Sequence, residues 1–292
     1  MNKNVVKRAV IPLAGLGTRI FPMNKIINKA FLPIYKDGML KPVILIIIEE
    51  LLECGIEKIG LIIRKEDKKI YDELFSSKKE YTGKYIENAS YNKIIENISG
   101  LIEYIYEEKP LGLGHAVYIS KEFSKDKNII TILGDHIFKS DLNENCTIQF
   151  LSESSKNENL ILSIKEVPLD MVENYGIISG EWVDGREGEL LEIQNFIEKP
   201  SKEYASENLG INTFGELKYY SVFGHYLISK HIYKELETNI ILNKKIKEEF
   251  DLTDAISKVI KNKRSFALVI KGNSFDVGLP ILYKKAMEEY DK

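Results

Sequence analysis

Short runs of branched apolar residues alternate with longer amphipathic stretches through the first half of the chain. Such runs are typical of buried strands, whereas apolar positions three or four residues apart are typical of helices. The predicted strands are Val5–Leu13, Ile59–Ile63, Leu101–Tyr106 and Ile129–Leu133, and the predicted helices are Pro42–Cys54, Glu66–Phe75 and Gly114–Phe123. Since helices separate these strands, the pattern predicts a largely parallel sheet that is covered on both faces.

Longer strand patterns, joined by turns rich in Gly, Asp and Asn, dominate the second half. The predicted strands are Leu160–Val167, Gly176–Val183, Leu190–Glu198, Tyr219–Leu227 and Phe266–Ile270, and the predicted helices are Lys230–Glu237, Asp251–Asn262 and Pro280–Tyr290. They predict a mixed or antiparallel extension of the sheet. The stretch Ser76–Ser99 is polar and aromatic without a firm period, which predicts a mobile flap.

These patterns together predict an α/β protein with a Rossmann-like, mixed, mostly parallel sheet flanked by helices. The length of 292 residues suits one α/β domain with elaborations, and no repeat, low-complexity tract or linker divides it. We therefore expect a single domain over residues 1–292. Ligands of such sheets bind at the carboxyl ends of the strands, which directs attention to the segments that follow Leu13 and Leu133.

Composition narrows the class of protein. The hydrophobic share of 44% and the charged share of 29% are ordinary for a soluble domain, and the net charge of −3 argues against a broad nucleic-acid binder. Two cysteines, Cys54 and Cys146, lack metal-type spacing, which predicts no disulfide framework and a reducing cytoplasm. The apolar runs Ala9–Leu13 and Val43–Ile48 are too short to span a membrane, and the second predicts a buried helix.

A glycine-rich turn, Ala14–Arg19, follows the first predicted strand, and Lys25 and Lys29 come soon after it. Closely spaced glycines let the backbone approach a triphosphate, while the cations neutralise phosphate charge. The P-loop pattern is absent, and Ile20 stands where a dinucleotide fingerprint requires its third glycine. A plain strand-to-loop turn with surface cations is the alternative interpretation.

Two carboxylates follow predicted strands from distant parts of the chain. Asp135 comes directly after an apolar strand, and Asp276 lies in Phe275–Gly278, beyond a strand and ahead of a helix. Carboxylate oxygens suit Mg²⁺, a hard cation that also binds phosphates. The alternative is that each aspartate caps the element that follows it.

These motifs, together with further short blocks along the chain, resemble a known family. The matching blocks are Gly15–Arg19, Pro22, Lys25, Lys29, Leu32–Ile34, Lys41-Pro42, Gly55-Ile56, Pro110–Val117, Gly134-Asp135, Tyr175-Gly176, Glu198–Pro200, Leu252–Ala255 and Phe275–Gly278. In this order, over nearly the whole chain, they resemble the bacterial UTP–glucose-1-phosphate uridylyltransferases, which are sugar-1-phosphate nucleotidylyltransferases.

The resemblance implies an enzyme that joins UTP and glucose 1-phosphate to give UDP-glucose and pyrophosphate. It implies Mg²⁺-assisted direct displacement at the α-phosphorus, without a covalent enzyme intermediate, in a cytoplasmic homo-oligomer. Residues 1–140 would then form a nucleotide-binding half, and residues 141–292 a sugar-binding half with C-terminal elements. Nucleoside triphosphate and sugar 1-phosphate are the implied partners, with neither nucleic acid nor membrane.

The resemblance also implies roles for individual residues. The implied catalytic residues are Arg19, Lys29 and Lys199; the nucleotide-binding residues are Leu13, Ala14, Gly15, Gly17, Thr18, Arg19, Glu107, Gly112 and Asp135; the sugar-binding residues are Gly176, Glu198 and Lys199; and the metal ligands are Asp135 and Asp276. His115 is expected to serve either the nucleotide loop or helix-start packing, and His136 to support Asp135. His225 and His231 are interpreted as structural or surface residues.

Two departures from the family pattern matter. Asn28 replaces the proline that usually precedes the lysine, which predicts a less rigid loop. Glu107 replaces the glutamine that reads the uracil edge, and an ionised carboxylate accepts hydrogen bonds but donates none. Use of dTTP or CTP, or of another sugar 1-phosphate, therefore stays open. A non-catalytic regulatory protein that binds nucleotide sugars is the rival outside enzymes, and Ile20 disfavours a dehydrogenase.

Overall fold

The computed structural model describes residues 6–76, 89–98, 100–157, 159–246 and 248–291. The strands of these residues are β1 (Arg8–Pro12), β2 (Pro33–Lys36), β3 (Met39–Pro42), β4 (Lys58–Ile63), β5 (Ile102–Tyr106), β6 (Ile129–Ile132), β7 (His136–Ser140), β8 (Leu160–Val167), β9 (Gly176–Trp182), β10 (Leu190–Glu198), β11 (Ile211–Thr213), β12 (Glu216–Ile228), β13 (Phe266–Val269) and β14 (Gly272–Asp276). The helices are α1 (Val43–Glu53), α2 (Lys68–Leu74), α3 (Ala89–Ile98), α4 (Leu113–Ile119), α5 (Lys121–Ser124), α6 (Cys146–Lys156), α7 (Lys202–Asn208), α8 (Lys230–Ile241), α9 (Leu252–Asn262) and α10 (Pro280–Glu289).

One large sheet runs through both halves of the chain in the order β5-β4-β1-β6-β12-β8-β13-β10-β9. The first four strands in this order are parallel, and β12 joins them to the rest by antiparallel pairing with β6 and β8. Beyond β12, antiparallel pairs of β9 and β10 form the predicted extension. The mixed α/β fold is therefore confirmed, with its parallel part in the first half.

Both faces of the sheet are covered, as the first-half pattern predicts. Ala9 and Ile11 of β1 belong to one apolar core, and Val10, between them, belongs to another, because alternate side chains of a strand point to opposite faces. Helix α1 supplies much of the first core, with the run Val43–Ile48 fully inside the protein. The predicted buried helix is confirmed. Helices α4, α8 and α9 cover the other face.

The parallel strands determine where the polar loops gather. Since β1, β5 and β6 run in the same direction, their carboxyl ends lie at the same edge of the sheet. The glycine-rich turn follows β1, Glu107 follows β5, and Asp135 follows β6 after two residues. Three segments that are far apart in sequence therefore open on the same cleft.

Several elements differ from the predictions. The antiparallel ribbon of β7 and β14 carries no clear strand pattern and was not predicted. The predicted helix Gly114–Phe123 is two helices, α4 and α5, which are divided at Ser120. Of the predicted flap, residues 77–88 and 99 lie outside the described residues, while residues 89–98 form α3 and bury Ile95 and Ile98.

Two further observations concern the chain as a whole. Both cysteines, Cys54 and Cys146, are unpaired. Of the helices in the described ranges, none combines the length and the hydropathy that a bilayer-spanning segment needs.

Candidate functional site

The glycine-rich turn forms one wall of a cavity of about 410 Å³ at the carboxyl edge of the parallel strands. Gly17 adopts a left-handed conformation, with φ 61°, and begins a short 3₁₀ turn that carries Arg19. The side chain of Arg19 is nearly half exposed and reaches back over the cavity. The turn thus presents backbone and one guanidinium group to the same space.

Most of the predicted nucleotide-binding residues line this cavity. They are Ala14, Gly15, Gly17, Thr18, Arg19, Glu107, Gly112 and Asp135, together with the predicted catalytic residue Lys29. Leu13 does not line it. Its side chain is buried in the core, and its carbonyl accepts a hydrogen bond of 2.7 Å from the Asn28 amide. Lys25 also lies outside the cavity, over the Phe21 ring.

A cluster of opposite charges closes the inner end of the cavity. Arg19 contacts Asp276 at 3.1 Å and Asp135 at 3.4 Å, and the Lys29 ammonium donates to the same oxygen of Asp135. Burial opposes ionisation of Asp135, but Lys29 and His136 outweigh it and hold the pKa of this carboxyl well below its usual range. Asp135 is therefore an anion at any physiological pH.

The ribbon of β7 and β14 brings the two predicted metal ligands together. Asp276 pairs with His136 in this ribbon, so that Asp276 lies beside Asp135. Within the described residues, one ligand atom each of Asp135, His136 and Asp276 lies within 4.8 Å of the other two. Carboxylate oxygens at this spacing fit a hard divalent cation, whereas the Nδ1–H of His136 donates to Asp135 at 3.2 Å.

Gly278 keeps space open beside the two carboxylates. A Cβ atom at this position would lie 2.7 Å from Asp135 Oδ2, 2.9 Å from Asp276 Oδ1 and 2.8 Å from Arg19 Nη2. Any side chain here would push into the charged cluster. The donor set and this open space therefore fit a bound metal ion.

Glu107 lies at the opposite end of the cavity and is nearly inaccessible to solvent, with 4% of its surface exposed. One of its carboxylate oxygens lies 2.8 Å from Nδ1 of His115, and the His115 ring stacks on Phe250. Because His115 engages one oxygen, the second oxygen is the one left for a ligand. His115 thus packs at the start of α4 and contacts a residue of the cavity, while its role in the nucleotide loop stays a prediction.

Gly112 is required by the backbone at this end of the cavity. Its φ of 102° disfavours any residue with a side chain, and a Cβ atom would lie 2.7 Å from Glu249 Cβ and 2.8 Å from the Phe250 carbonyl. Its close approach lets the segment of Glu249 and Phe250 fold over the cavity. Glu249 lines the cavity, although nothing in the sequence pattern singled it out.

Two of the three predicted sugar-binding residues line a second cavity of about 430 Å³, which shares Glu249 with the first. Glu198 and Lys199 line it, and Gly176 is the register partner of Glu198 across β9 and β10. The Lys199 ammonium lies 3.3 Å from Glu198, which also accepts a hydrogen bond of 3.2 Å from Thr253.

The backbone at Lys199 is held in an unusual conformation. Its φ is 48°, in the left-handed region that costs a non-glycine residue about 1 kcal/mol or more. Its amide donates to the Tyr175 carbonyl at 3.0 Å. Surrounding structure therefore fixes the direction of a cationic side chain at the edge of the second cavity.

This chain is similar to known proteins along nearly its whole length. The family model of the nucleotidyl transferases matches residues 8–292. The chain belongs to the nucleotidyl transferase family. Among curated relatives, it is 34% identical to a UTP–glucose-1-phosphate uridylyltransferase of Bacillus subtilis over 94% of this chain and 87% of the relative. It is 31% identical to a protein of the same name from Staphylococcus epidermidis, over 98% of this chain and 92% of that one.

Solved structures give the same result for this nucleotidyl transferase. A UDP-glucose pyrophosphorylase crystallised with UDP-glucose superposes with a TM-score of 0.79 at 29% identity, over 98% of both chains. A UTP-bound pyrophosphorylase of the same kind from Acinetobacter baumannii gives a TM-score of 0.78 at 27% identity, over 98% of this chain and 93% of the other.

The two cavities of this nucleotidyl transferase are also lined by residues to which the sequence pattern assigned no role. Glu249 carries no recognisable signal, whereas Thr253 lies in a matching block, Leu252–Ala255, to which no role was given. His225 and His231 do not take part: His225 is buried among aromatic rings of the core, and His231 lies at the surface. Motif blocks therefore predicted the residues that line the two cavities better than single histidines did.

Proposed function

We propose that the protein joins UTP and glucose 1-phosphate to give UDP-glucose and pyrophosphate. The observation that carries the proposal is the cluster of Arg19, Lys29, Asp135 and Asp276 at the inner end of a cavity walled by the glycine-rich turn. The names of the curated relatives and the UDP-glucose in a similar structure support the choice of substrates.

The first cavity would take the triphosphate. Ala14–Thr18 would approach the phosphates by backbone, and Glu107 would face the base at the far end. Arg19 is half exposed, so its guanidinium group could exchange Asp276 for phosphate oxygens without crossing the core. Lys29 would stay with Asp135 and contact phosphate at the same time, since an ammonium group has three donors.

Asp135 and Asp276 would hold Mg²⁺, which supplies charge neutralisation at phosphate oxygens and lets them approach a second anion. Oxygen ligands, spacing and the space beside Gly278 support this choice of metal. His136 would orient Asp135 through its contact at 3.2 Å.

The reaction would be a direct displacement. An oxygen of the sugar phosphate forms a bond to the α-phosphorus of UTP, and the bond to pyrophosphate breaks on the opposite side. The attacking oxygen is already anionic, so no general base is needed. The main obstacle is repulsion between two polyanions, which Arg19, Lys29 and Lys199 would offset while Glu198 and Gly176 position the sugar.

Glu107 is compatible with more than one base. An ionised Glu107 could accept from uracil or thymine N3–H, or from the cytosine amino group. dTTP and CTP therefore belong among the candidate triphosphates, and other phosphosugars among the acceptors. A non-catalytic binding protein would retain nucleotide sugar without turning it over.

Pyrophosphate release tests the proposal directly. Purified protein with Mg²⁺, UTP and glucose 1-phosphate is expected to release pyrophosphate, and chelation of the metal should stop it. A panel that adds dTTP and CTP, and further sugar 1-phosphates, identifies the preferred pair. If UDP-glucose binds but no pair gives pyrophosphate, the regulatory alternative replaces the enzyme. Cytoplasmic location and homo-oligomerisation stay predictions, the second of which sedimentation analysis would test.

A further inference from the structure

Lys165 is a half-buried cation that the family motifs do not include. It lies on β8, and its ammonium donates to the hydroxyl of Ser274 at 2.6 Å and to the carbonyl of the same residue at 3.4 Å. Within the described residues no carboxylate lies at ion-pair distance from it. A half-buried ammonium with two neutral acceptors and no directly paired carboxylate is an expensive arrangement for a merely structural contact.

The position of Lys165 relates it to the proposed site. Its ammonium lies 5.8 Å from the centre of the Tyr175 ring, and Ser274 is two residues before Asp276 on β14. Tyr175 in turn accepts the amide of Lys199 and precedes Gly176. Lys165 and Lys199 therefore both contact the residue that leads into the predicted sugar-binding strand.

The electrostatic surroundings of Lys165 favour the binding of an anion beside it. Burial lowers the pKa of Lys165 to about 8, the carboxylate of Asp276 opposes this shift, and Lys285 of α10 adds to it. Asp276 is itself paired with Arg19, so it does not serve as the dedicated partner of Lys165. A phosphate dianion beside Lys165 would supply the direct ion-pair partner that no described carboxylate provides.

We propose that Lys165 is a phosphate-binding residue on the sugar side of the cleft, where its ammonium, which faces the Tyr175 ring, joins that of Lys199 in receiving the phosphate of the sugar 1-phosphate. This inference rests on the proposed function and extends it to a residue outside its motifs. When Lys165 binds the phosphate, one of its N–H donors turns from Ser274 to a phosphate oxygen. The base and the triphosphate bind in the first cavity.

Steady-state kinetics of two Lys165 variants test the inference. Lys165→Met removes the charge but keeps the length, and it should raise KM for glucose 1-phosphate by roughly 10- to 100-fold, the range of a charge-assisted hydrogen bond. KM for UTP should stay within about twofold, because the triphosphate is bound elsewhere. Lys165→Arg should recover most of the loss, since it restores the cation.

Two control variants separate phosphate binding from structure. Lys218→Met removes a lysine of β12 that is already paired with Glu166 at 3.0 Å, and it should leave both KM values unchanged. Ser274→Ala removes the hydroxyl partner of Lys165. It should leave KM for glucose 1-phosphate near the wild-type value if Lys165 binds phosphate, and should mimic Lys165→Met if Lys165 only positions β14.

The possible results distinguish a failure of the proposed role of Lys165 from a failure of the proposed enzyme activity. Unchanged KM for glucose 1-phosphate in Lys165→Met, a rise in KM for UTP instead, or an equal defect in Ser274→Ala overturns the role of Lys165 while wild-type turnover keeps the proposed function. Wild-type protein that releases no pyrophosphate with any substrate pair overturns the proposed function, and the role of Lys165 falls with it.

Discussion

The two sides of the cleft balance charge in different ways. On the side of the glycine-rich turn, Arg19 and Lys29 are engaged by Asp135 and Asp276 before any substrate is present. The protein's own groups hold these side chains in place, and the charges nearly cancel. This side of the cleft is therefore assembled as a part of the fold.

On the other side, the cations lack such partners. Among the described residues, the Lys199 ammonium is paired only with its exposed neighbour Glu198, and Lys165 has hydroxyl and carbonyl acceptors. Exposed pairs between neighbours contribute little to stability. The difference teaches that mutations on the first side should cost both stability and turnover, whereas mutations on the second should cost substrate binding and turnover alone.

The largest effect is expected for Asp135→Asn. This change keeps the shape of the side chain but removes the anion that engages Lys29 and Arg19. Turnover should fall by about 1000-fold or more, because a proposed metal ligand is lost. The free energy of unfolding should fall by about 2 kcal/mol, because Lys29 keeps its charge without a partner. Pyrophosphate release and chemical denaturation measure the two effects.

Asp141→Asn is the matched control for that change. Asp141 is exposed and lies just past β7, so both measurements should match the wild type. Full activity in Asp135→Asn would remove Asp135 from the proposed metal site, and an unchanged stability would contradict the coupling of charge balance to folding.

Lys199→Met should separate binding from stability on the other side of the cleft. We expect kcat/KM for glucose 1-phosphate to fall by about 100-fold, because a cation that offsets repulsion between two anions is lost. The free energy of unfolding should change by less than about 0.5 kcal/mol, since Lys199 is exposed. Lys202→Met, three residues away in α7, controls for loss of surface charge. A loss of stability as large as that of Asp135→Asn would refute the contrast between the two sides.

A smaller and more specific effect is expected for Glu107→Gln. The amide can both accept and donate, so it can pair with N3–H and a neighbouring carbonyl of uracil. The preference for UTP over CTP should rise by roughly tenfold, the value of one good hydrogen bond to a base edge. Competition between the two triphosphates measures it. Glu108→Gln, next along the chain and exposed, should leave the ratio unchanged, and an unchanged ratio in both variants would separate Glu107 from base selection.

The fold was largely predictable because, in its main elements, the spacing of apolar residues and the residue types in the turns indicate the same secondary structure. Strong apolar runs identify β1, β4 and β6, and the run Val43–Ile48 identifies the buried helix. The ribbon of β7 and β14 was not predictable, because its residues mix polar and apolar side chains and its pairing joins segments more than 100 residues apart. Yet this ribbon brings Asp276 beside Asp135.

The residues of the candidate site were predictable where they lie in a motif whose residue types indicate their chemical role. Glycine, arginine and aspartate blocks indicated Arg19 and Asp135, which the structure brings into contact. Lys165 was not predictable, since an isolated lysine in a strand pattern reads as a solvent-facing residue. The proposed role of Lys165 depends on the lack of a carboxylate at ion-pair distance among the described residues. Only the three-dimensional packing shows this.

Asn28 gives the smallest predicted effect and tests how the first side of the cleft is held. The sequence predicts a less rigid loop, yet the Asn28 side chain accepts from the Ala30 amide at 3.0 Å and donates to the Leu13 carbonyl at 2.7 Å, which ties Lys29 to the end of β1. Asn28→Ala should lower the free energy of unfolding by about 1–2 kcal/mol, the sum expected for a lost cap and a lost hydrogen bond. Asn28→Pro should lose less, because the φ of −68° at this position is one that proline adopts.

Asn208→Ala, which loses one exposed hydrogen bond to a carbonyl, should change stability by less than about 0.5 kcal/mol. Equal stability of all three variants in urea denaturation would mean that Lys29 is held by Asp135 alone, and that the asparagine contributes nothing to the preassembled side.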